Sequence, residues 1–262
     1  MSNSPLISYT RLSPNHSGAR THAIDRITPH CVVGQLSCEA ICRCFPKAVW
    51  DANGYLISGR AASCNYGIGK DGRISLCVEE KYRSWCSSSN DNDQRAVTIE
   101  CASDAKPPYA FNAVVYAKLI ELCTDICRRH GKTKLLWLGD KAKTLRYAPA
   151  DNEMVLTVHR WFANKSCPGD WMYARMGDLA KKVTEKLGGG SLLYRVQLGA
   201  FTESKNADAL AKKLKAAGFE SYVVKAGSFY KVQTGAFRQK GNAEQLAEKL
   251  SKAGFGGAYI TT

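Results

Sequence analysis

An internal repeat near the end of the chain restricts the fold of that part more than any other feature. In a chain of 262 residues, residues 194–201 (YRVQLGAF) recur as residues 230–237 (YKVQTGAF). Each copy alternates apolar and polar residues like a strand and leads into an Ala/Leu/Lys-rich stretch, which predicts helices over residues 205–217 and 241–253. A glycine caps each helix, and a short strand-like segment follows. The unit strand-helix-strand is therefore used twice.

Two such βαβ units predict a small ferredoxin-like α+β domain, a four-stranded sheet with both helices on one face. Residues 188–193 are rich in glycine and predict a flexible linker, so we expect domains at residues 1–187 and 194–262. Strand alternation gives the sheet an apolar face and an open face. The polar residues predicted on the open face are Arg195, Gln197, Lys231 and Gln233.

A second motif, HRWFANKSCPG at residues 159–169, places an imidazole, an ammonium and a thiol close together in the chain. Zinc binds imidazole nitrogen and thiolate sulfur, and a catalytic zinc keeps three protein ligands and one position open to water. The best candidate for a third ligand is His30, which lies in an apolar, β-prone run. Because a strand alternates its faces, the neighbouring Cys31 is expected to point into the core.

Four segments in order, namely His30, residues 65–73 (NYGIGKDGR), residues 97–100 (VTIE) and the 159–169 motif, resemble zinc N-acetylmuramoyl-L-alanine amidases related to peptidoglycan recognition proteins. These are common in phage endolysins, and the resemblance spans roughly residues 20–187. It implies an α/β fold with a mixed central sheet flanked by helices. It also implies a Zn²⁺ enzyme that cleaves the amide between the lactyl group of muramic acid and L-alanine in bacterial peptidoglycan.

By the family pattern, the zinc ligands would be His30, His159 and Cys167. Glu100 would be the general base, and Lys165 would stabilise the oxyanion. These residue types suit amide hydrolysis, because a carboxylate can take a proton from water and pass it to the leaving amine. A cation can meet the negative charge that develops on the carbonyl oxygen.

The chain departs from the pattern at two positions. Some relatives carry a catalytic tyrosine where this chain has Cys64, so base catalysis is assigned to Glu100 alone, and Tyr66 is expected to pack or to line the groove. Pro29 cannot donate to a sheet ladder, so the strand is expected to be irregular there. The residues expected to shape the substrate groove are Asn65, Arg73 and Trp85, with Trp161 as a further candidate; packing is the alternative for both tryptophans.

The repeat domain resembles the SPOR domain over residues 192–262, a family that binds glycan strands lacking stem peptides. The resemblance implies that Arg195, Gln197, Lys231 and Gln233 contact denuded glycan, the product that the amidase would leave. An ordinary solvated sheet face is the alternative. RNA-recognition modules share this layout, but they place stacking aromatic residues on the open face, whereas alternation places Tyr194 and Tyr230 on the core face here. The sequence signature of those modules is also absent. No nucleic-acid partner is therefore predicted.

Composition constrains the environment of the protein. The net charge of +14 is spread along the chain, which suits an anionic cell wall as well as nucleic acid. The eleven cysteines are odd in number and predict mostly reduced core thiols; a structural zinc at Cys38, Cys42 and Cys44 is a minor alternative. Residues 1–28 contain no continuous apolar run, so neither a signal peptide nor a membrane span is predicted. Synthesis in the cytoplasm and release through holin-type membrane holes or by lysis are expected.

The sequence thus predicts a zinc amidase, of the phage or prophage endolysin type. The alternatives are a host autolysin or sporulation amidase, and a recognition module that binds peptidoglycan without cutting it. The presence of His30, His159, Cys167 and Glu100 together argues against the non-catalytic alternative.

Overall fold

Two compact units, residues 1–189 and 190–262, divide the chain. The computed structural model describes residues 3–189, 194–237 and 240–261. The linker predicted at residues 188–193 lies outside the described residues except for its first two positions.

The first unit contains eleven strands and six α-helices in its described part. The strands are β1 Ile7–Thr10, β2 His16–Ala19, β3 Arg26–Cys31, β4 Val49–Trp50, β5 Leu56–Ser58, β6 Tyr66–Ile68, β7 Ile74–Leu76, β8 Tyr82–Ser84, β9 Ala96–Cys101, β10 Lys134–Leu136 and β11 Glu153–Leu156. The helices are α1 Cys38–Arg43, α2 Asn90–Arg95, α3 Ala113–Arg129, α4 Lys141–Arg146, α5 Asp170–Tyr173 and α6 Met176–Thr184.

Seven strands form the central sheet in the order β1-β7-β6-β9-β3-β11-β10. Only the pair β6–β7 is antiparallel, and the other neighbours run parallel. Two small antiparallel pairs, β2–β8 and β4–β5, lie outside this sheet. The prediction of an α/β fold with a mixed central sheet is confirmed.

Helices cover both faces of the central sheet. The long helix α3, predicted at residues 114–130, begins after Asn112, whose side chain accepts a hydrogen bond from the backbone N–H of Val115 at 2.8 Å. The apolar side of α3 packs into the main core together with Tyr66 and Ile68 of β6. On the opposite face of β6, Gly67 approaches α1 so closely that a methyl group there would meet Ile41.

The strand that carries His30 passes through Pro29 without interruption. It pairs residue by residue with β9 from Arg26 to Cys31, whereas its ladder with β11 ends at Ile27. The missing N–H of Pro29 therefore breaks no ladder on the β11 side. The irregularity expected at Pro29 is therefore absent, and that prediction was wrong.

The second unit has the predicted strand-helix-strand order twice. Its elements are β12 Tyr194–Phe201, α7 Ser204–Ala216, β13 Tyr222–Ala226, β14 Phe229–Phe237, α8 Lys240–Lys252 and β15 Tyr259–Thr261. The strands form an antiparallel sheet in the order β13-β14-β12-β15. Both helices bury leucines, Leu214 and Leu250, against Val196 and Val232 on one sheet face. The small α+β domain is confirmed.

All eleven cysteines are free thiols; nine are buried, and Cys44 and Cys167 are half-buried. In the described part of the chain, no helix combines the length and the apolar character that a membrane crossing requires.

Candidate metal centre and groove

Two adjacent parallel strands place His30 and Glu100 side by side. The residues are direct partners in the β3–β9 ladder, one position before both strands end. The carboxyl ends of parallel strands are where open α/β sheets usually form their sites. His30 is almost completely buried, at 1% exposure. The sheet therefore fixes the spacing between an imidazole and a carboxylate.

The segment after β11 brings in the other two predicted ligands. A 3₁₀ turn at His159–Trp161 begins it, and the buried ring of Trp161 stacks on Trp137 with ring centroids 5.1 Å apart. The backbone N–H of Arg160 donates to the carbonyl of Cys167 at 3.1 Å. The Arg160 side chain also donates to Asp170 at 3.0 Å. These contacts fold the segment back so that Cys167 faces the sheet.

Gly169 completes this fold for a steric reason. It adopts a φ of +86°, and a Cβ at this position would lie 2.8 Å from the carbonyl oxygen of Pro108. Only glycine meets both conditions without strain. The glycine of the CPG sequence therefore secures the position of the preceding thiol.

The three predicted ligands converge. Cys167 Sγ lies 3.3 Å from His30 Nδ1, and the rings of His30 and His159 have centroids 5.1 Å apart. One donor atom from each of the three residues lies within 4.8 Å of the other two. Two imidazoles and one thiolate match the donors that zinc prefers, and three ligands leave a fourth position open.

The environment keeps both imidazoles in the form that binds metal. Burial and the neighbouring His159 hold the pKa of His30 well below its usual value. Burial and the cation of Lys165 lower the pKa of His159. Neutral imidazole is the ligand form.

Cys167 must lose a proton to bind a metal ion, because the thiolate is its ligand form. A hydrogen bond with Cys31 and burial raise the pKa of its thiol, so a cation must stabilise the thiolate. Cys31 lies in the main core, as expected from strand alternation, but its thiol also reaches Cys167.

Ser88 orients the ring of His159. Its hydroxyl lies 3.0 Å from His159 Nε2, so Nδ1 is the nitrogen left available to a metal ion. Ser88 has a φ of +63°, a conformation that is uncommon outside glycine. Partners of this kind fix the tautomer and orientation of metal-binding histidines.

Glu100 is placed and tuned for proton transfer. Burial raises the pKa of its carboxyl to about 7, against the opposing effect of the Arg60 cation. Its Oε2 atom is buried and has no hydrogen-bond partner among the described residues. Its Oε1 atom lies 4.0 Å from Cys86 Sγ, and donors of Glu100, Cys86 and His30 also fall within 4.8 Å of one another.

An open cavity of about 510 Å³ lies over this centre. It is lined by His159 and by two tryptophans and three cations, namely Trp50, Trp85, Arg60, Arg83 and Lys165. The Lys165 side chain is exposed at this cavity. The groove thus combines cationic and aromatic walls near the predicted ligands.

The structure corrects two of the three predicted groove residues. Asn65 is fully buried, and its amide bonds to the backbone carbonyls of Val78, Glu79 and Tyr82 and accepts from Thr98 N–H. It is a structural clamp within the sheet and cannot reach a substrate.

Arg73 pairs with Glu39 at 2.5 Å, beside the turn between β6 and β7, and it does not line the cavity. Tyr66 is a core residue whose hydroxyl donates to Glu80 at 2.6 Å. Trp85 does line the cavity, and its Nε1 donates to Ser17 at 2.6 Å.

Sequence reasoning missed Ser88, Cys86, Arg60 and Trp50. None of them stands in a spacing that signals a site. Residues 84–89 (SWCSSS) could have drawn attention, because a run of small polar residues between two elements is typical of a loop at a site. Arg60 and Trp50 carry no comparable signal.

The four predicted polar residues lie on the sheet face that the helices do not cover, where Arg195 and Lys231 are half-buried and Gln197 and Gln233 are buried, at 1% and 8% exposure. Arg195, Gln197, Lys231 and Gln233 line a shallow cavity of about 520 Å³. The two glutamines are cross-strand partners, and Gln233 Nε2 lies 3.4 Å from Gln197 Oε1. Gln197 also donates to the Tyr259 hydroxyl.

Two aromatic residues that sequence reasoning did not expect belong to this face. Tyr222 lines the cavity, and Tyr259, 49% exposed, contacts Gln197. The repeat tyrosines Tyr194 and Tyr230 pack against the apolar core, as predicted.

Comparisons with known proteins give two family matches. The family described as N-acetylmuramoyl-L-alanine amidase matches residues 20–170, more than half of the chain, and the SPOR domain matches residues 191–261. A search of curated proteins gives no significant match.

Three solved structures illustrate the similarity. The peptidoglycan binding domain of the Bacillus subtilis cell wall lytic enzyme CwlC is 48% identical over 26% of this chain and 86% of its own, with a TM-score of 0.25. The endolysin N-acetylmuramoyl-L-alanine amidase LysCS from Clostridium intestinale is 15% identical over 72% of this chain and 99% of its own, with a TM-score of 0.42. A mutant endolysin from Bacillus subtilis is 15% identical over 68% and 99%, with a TM-score of 0.45.

Proposed function

The chain belongs to the family of N-acetylmuramoyl-L-alanine amidases, and from this membership we propose that it is a zinc-dependent peptidoglycan hydrolase. Its first unit would cleave the amide between the lactyl group of N-acetylmuramic acid and L-alanine. The observation that carries the proposal is the convergence of three donors, from His30, His159 and Cys167, beside the buried carboxyl of Glu100.

The residues present fit a zinc ion. His30, His159 and Cys167 would hold it, and zinc in such a donor set makes water nucleophilic at neutral pH and polarises the amide carbonyl. The low pKa values of the two imidazoles keep both as neutral ligands. Ser88 would hold the ring of His159 in the binding orientation.

Glu100 would move the proton. Its carboxylate accepts a proton from the attacking water and then delivers it to the nitrogen of the leaving L-alanine. A pKa of about 7 leaves both protonation states accessible at neutral pH. Lys165, at the exposed edge of the cavity, would donate a hydrogen bond to the negative oxygen that develops on the amide carbonyl.

The second unit would retain the enzyme on its product. Arg195 and Lys231 offer cations, and Gln197 and Gln233 offer amides on an open sheet face. Such groups suit the hydroxyl and acetamido groups of a glycan strand from which peptides have been removed. Tyr222 adds an aromatic surface on which a sugar ring can lie.

Two variants separate metal binding from proton transfer. Cys167→Ala should lose the zinc and the release of stem peptides together, whereas Glu100→Gln should keep one zinc per chain and lose about 10²–10⁴-fold in rate. Cys44→Ala, which removes another half-buried thiol, is the matched control and should keep both properties. Turnover by Glu100→Gln at nearly the wild-type rate would refute the proposed base.

A further inference from the structure

The β4–β5 hairpin and its flanks, here called the groove hairpin (residues 46–60), have no evident role in the core. The side chain of buried Asn15 holds its base, where Nδ2 donates to the carbonyls of Pro46 and Arg60 at 2.8 and 2.7 Å and Oδ1 accepts from Ala48 N–H at 2.9 Å. Gly59 adopts a φ of +76° at the same place, and a Cβ there would lie 1.7 Å from the Lys47 carbonyl. The base is therefore held in one arrangement.

The tip of the groove hairpin is equally well defined. The Asp51 carboxylate accepts from the backbone N–H groups of Asn53 and Tyr55 at 2.9 and 2.8 Å. The Asp51 N–H donates to the Tyr55 carbonyl at 2.9 Å. Asp51 is the only charged residue in residues 49–58, and its carboxylate closes the turn.

This ordered hairpin exposes apolar side chains to solvent. Tyr55 is 70% exposed, Ile57 64% and Trp50 47%, and Leu56 is the cross-strand partner of Trp50. Adjacent exposed apolar residues on a structured element commonly mark a binding surface.

The exposed surface continues into the groove. Trp50 and Arg60, from the two strands of the hairpin region, line the same cavity as His159 and Lys165. A ligand that extends beyond this cavity lies over the hairpin or over the cationic wall formed by Arg60, Arg83 and Lys165. The scissile amide joins a peptide to a sugar, so the substrate leaves the centre in two chemically different directions.

The hairpin and the cationic wall differ in chemistry, as the glycan and the stem peptide do. Stem peptides carry carboxylates, which suit the cations of Arg60, Arg83 and Lys165. Pyranose rings present apolar C–H faces with polar edges, which suit the aromatic and aliphatic side chains of residues 49–58, whose one charged side chain, Asp51, is bound in the turn.

We propose that the groove hairpin binds the glycan strand that carries the scissile stem peptide, with Trp50, which lines the cavity, as its main contact. This inference rests on the proposed amidase function. The hairpin would make the enzyme favour peptides attached to a polymeric glycan over the same peptides attached to a single muramic acid.

The test compares two soluble substrates that bear the same stem peptide, one on N-acetylmuramic acid alone and one on a glycan oligomer of at least four sugars. The variants are Trp50→Ala and the conservative Trp50→Phe. Leu145→Ala, which removes an exposed apolar side chain from α4, is the control. All proteins keep the second unit unchanged, so its contribution to glycan binding is common to them.

The expected result for Trp50→Ala is a drop in kcat/KM of about tenfold on the glycan oligomer, the size of one lost aromatic contact. On the monosaccharide substrate the change should stay within about twofold, with partial rescue by Trp50→Phe. Unchanged kcat/KM on the oligomer, or an equal loss on both substrates, would overturn the inference.

Failure of the underlying function has a different signature, because wild-type protein would then release peptide from neither substrate. A wild-type dimer that Trp50→Ala converts to a monomer would assign the hairpin to a second copy of the chain. Binding to phosphatidylglycerol vesicles that is lost in the same variant would assign it to a lipid surface. Either result would overturn the glycan assignment.

Discussion

Ser88 determines which nitrogen of His159 can face a metal ion. The Ser88 hydroxyl lies 3.0 Å from Nε2, so Nδ1 is the nitrogen left available to a metal ion. The serine reaches this position with a φ of +63°. Strain of this type commonly persists at functional sites, where the surrounding structure compensates for it.

Removal of the Ser88 hydroxyl should therefore weaken zinc binding. We expect Ser88→Ala and Ser88→Gly to lose about 10–100-fold in zinc affinity, measured by competition with a chromogenic chelator. Glycine accommodates the positive φ without strain, so Ser88→Gly should keep or raise the melting temperature. Zinc affinity of Ser88→Gly within about twofold of wild type would show that the hydroxyl does not orient His159.

At the scale of elements, sequence periodicity predicted the helices whose packing follows the same periodicity. Helix α3 lies one residue from its predicted bounds, and α7 and α8 do likewise. These segments bury one continuous apolar stripe, so their pattern in the sequence is also their pattern in the fold.

Sequence reasoning failed where long-range contacts decide the structure. Strand β1 has only four residues and owes its place to pairing with β7. Asn65 was assigned to the groove because of its motif, but its amide satisfies backbone groups of a distant loop. The groove hairpin depends on Asn15, more than thirty residues from the carbonyls that it binds. No local pattern encodes such contacts.

Asn15 provides a test at this scale. Asn15→Ala would remove the side-chain hydrogen bonds to the carbonyls of Pro46, Arg60 and Ala62 and to the N–H of Ala48. Because unsatisfied buried groups are costly, we expect a loss of about 2–3 kcal/mol in the free energy of unfolding, measured by urea titration. A loss below about 0.5 kcal/mol would mean that the hairpin base does not depend on this amide.

The open sheet face of the second unit gives another test. The double variant Gln197→Ala, Gln233→Ala should bind denuded glycan about tenfold more weakly, since it loses two amide side chains that face the same cavity. Cleavage of a soluble monosaccharide-peptide should be unchanged, because the predicted catalytic residues lie in the first unit. Co-sedimentation with denuded glycan measures the first property. Wild-type retention by the double variant would assign glycan binding elsewhere.

At the scale of the whole first unit, a buried charge network joins distant parts of the chain. The Glu80 carboxylate accepts from Arg129 at 2.5 Å and from Tyr66 at 2.6 Å and lies 3.0 Å from His130 Nε2. The Tyr66 hydroxyl in turn accepts from Ser4 N–H at 2.9 Å. The network thus connects the N-terminal segment, the central sheet and the end of α3.

The network predicts a loss of stability in acid. Burial alone would raise the pKa of Glu80, but hydrogen bonds from His130 and Arg129, with the Arg129 charge, outweigh burial and lower it from 4.5 to about 2. A depressed carboxyl pKa stabilises the fold above the unfolded value, and this stabilisation is lost as pH falls from about 4.5 toward 2.

The expected loss is on the order of 3 kcal/mol across that window. Unfolding measured at a series of pH values should show it in the wild type, and Glu80→Gln should show a correspondingly smaller loss. An identical acid profile for both proteins would exclude Glu80 as its source.

In the proposed function, the first unit strips peptides from glycan and the second unit then holds the stripped strand. The most direct measurement is mass spectrometry of the products after the purified, zinc-quantified protein is incubated with whole peptidoglycan. The account predicts free stem peptides that begin with L-alanine, beside glycan without peptides, and the loss of both when zinc is chelated. Zinc-loaded protein that binds several types of peptidoglycan but releases neither product would contradict the amidase and indicate a recognition module.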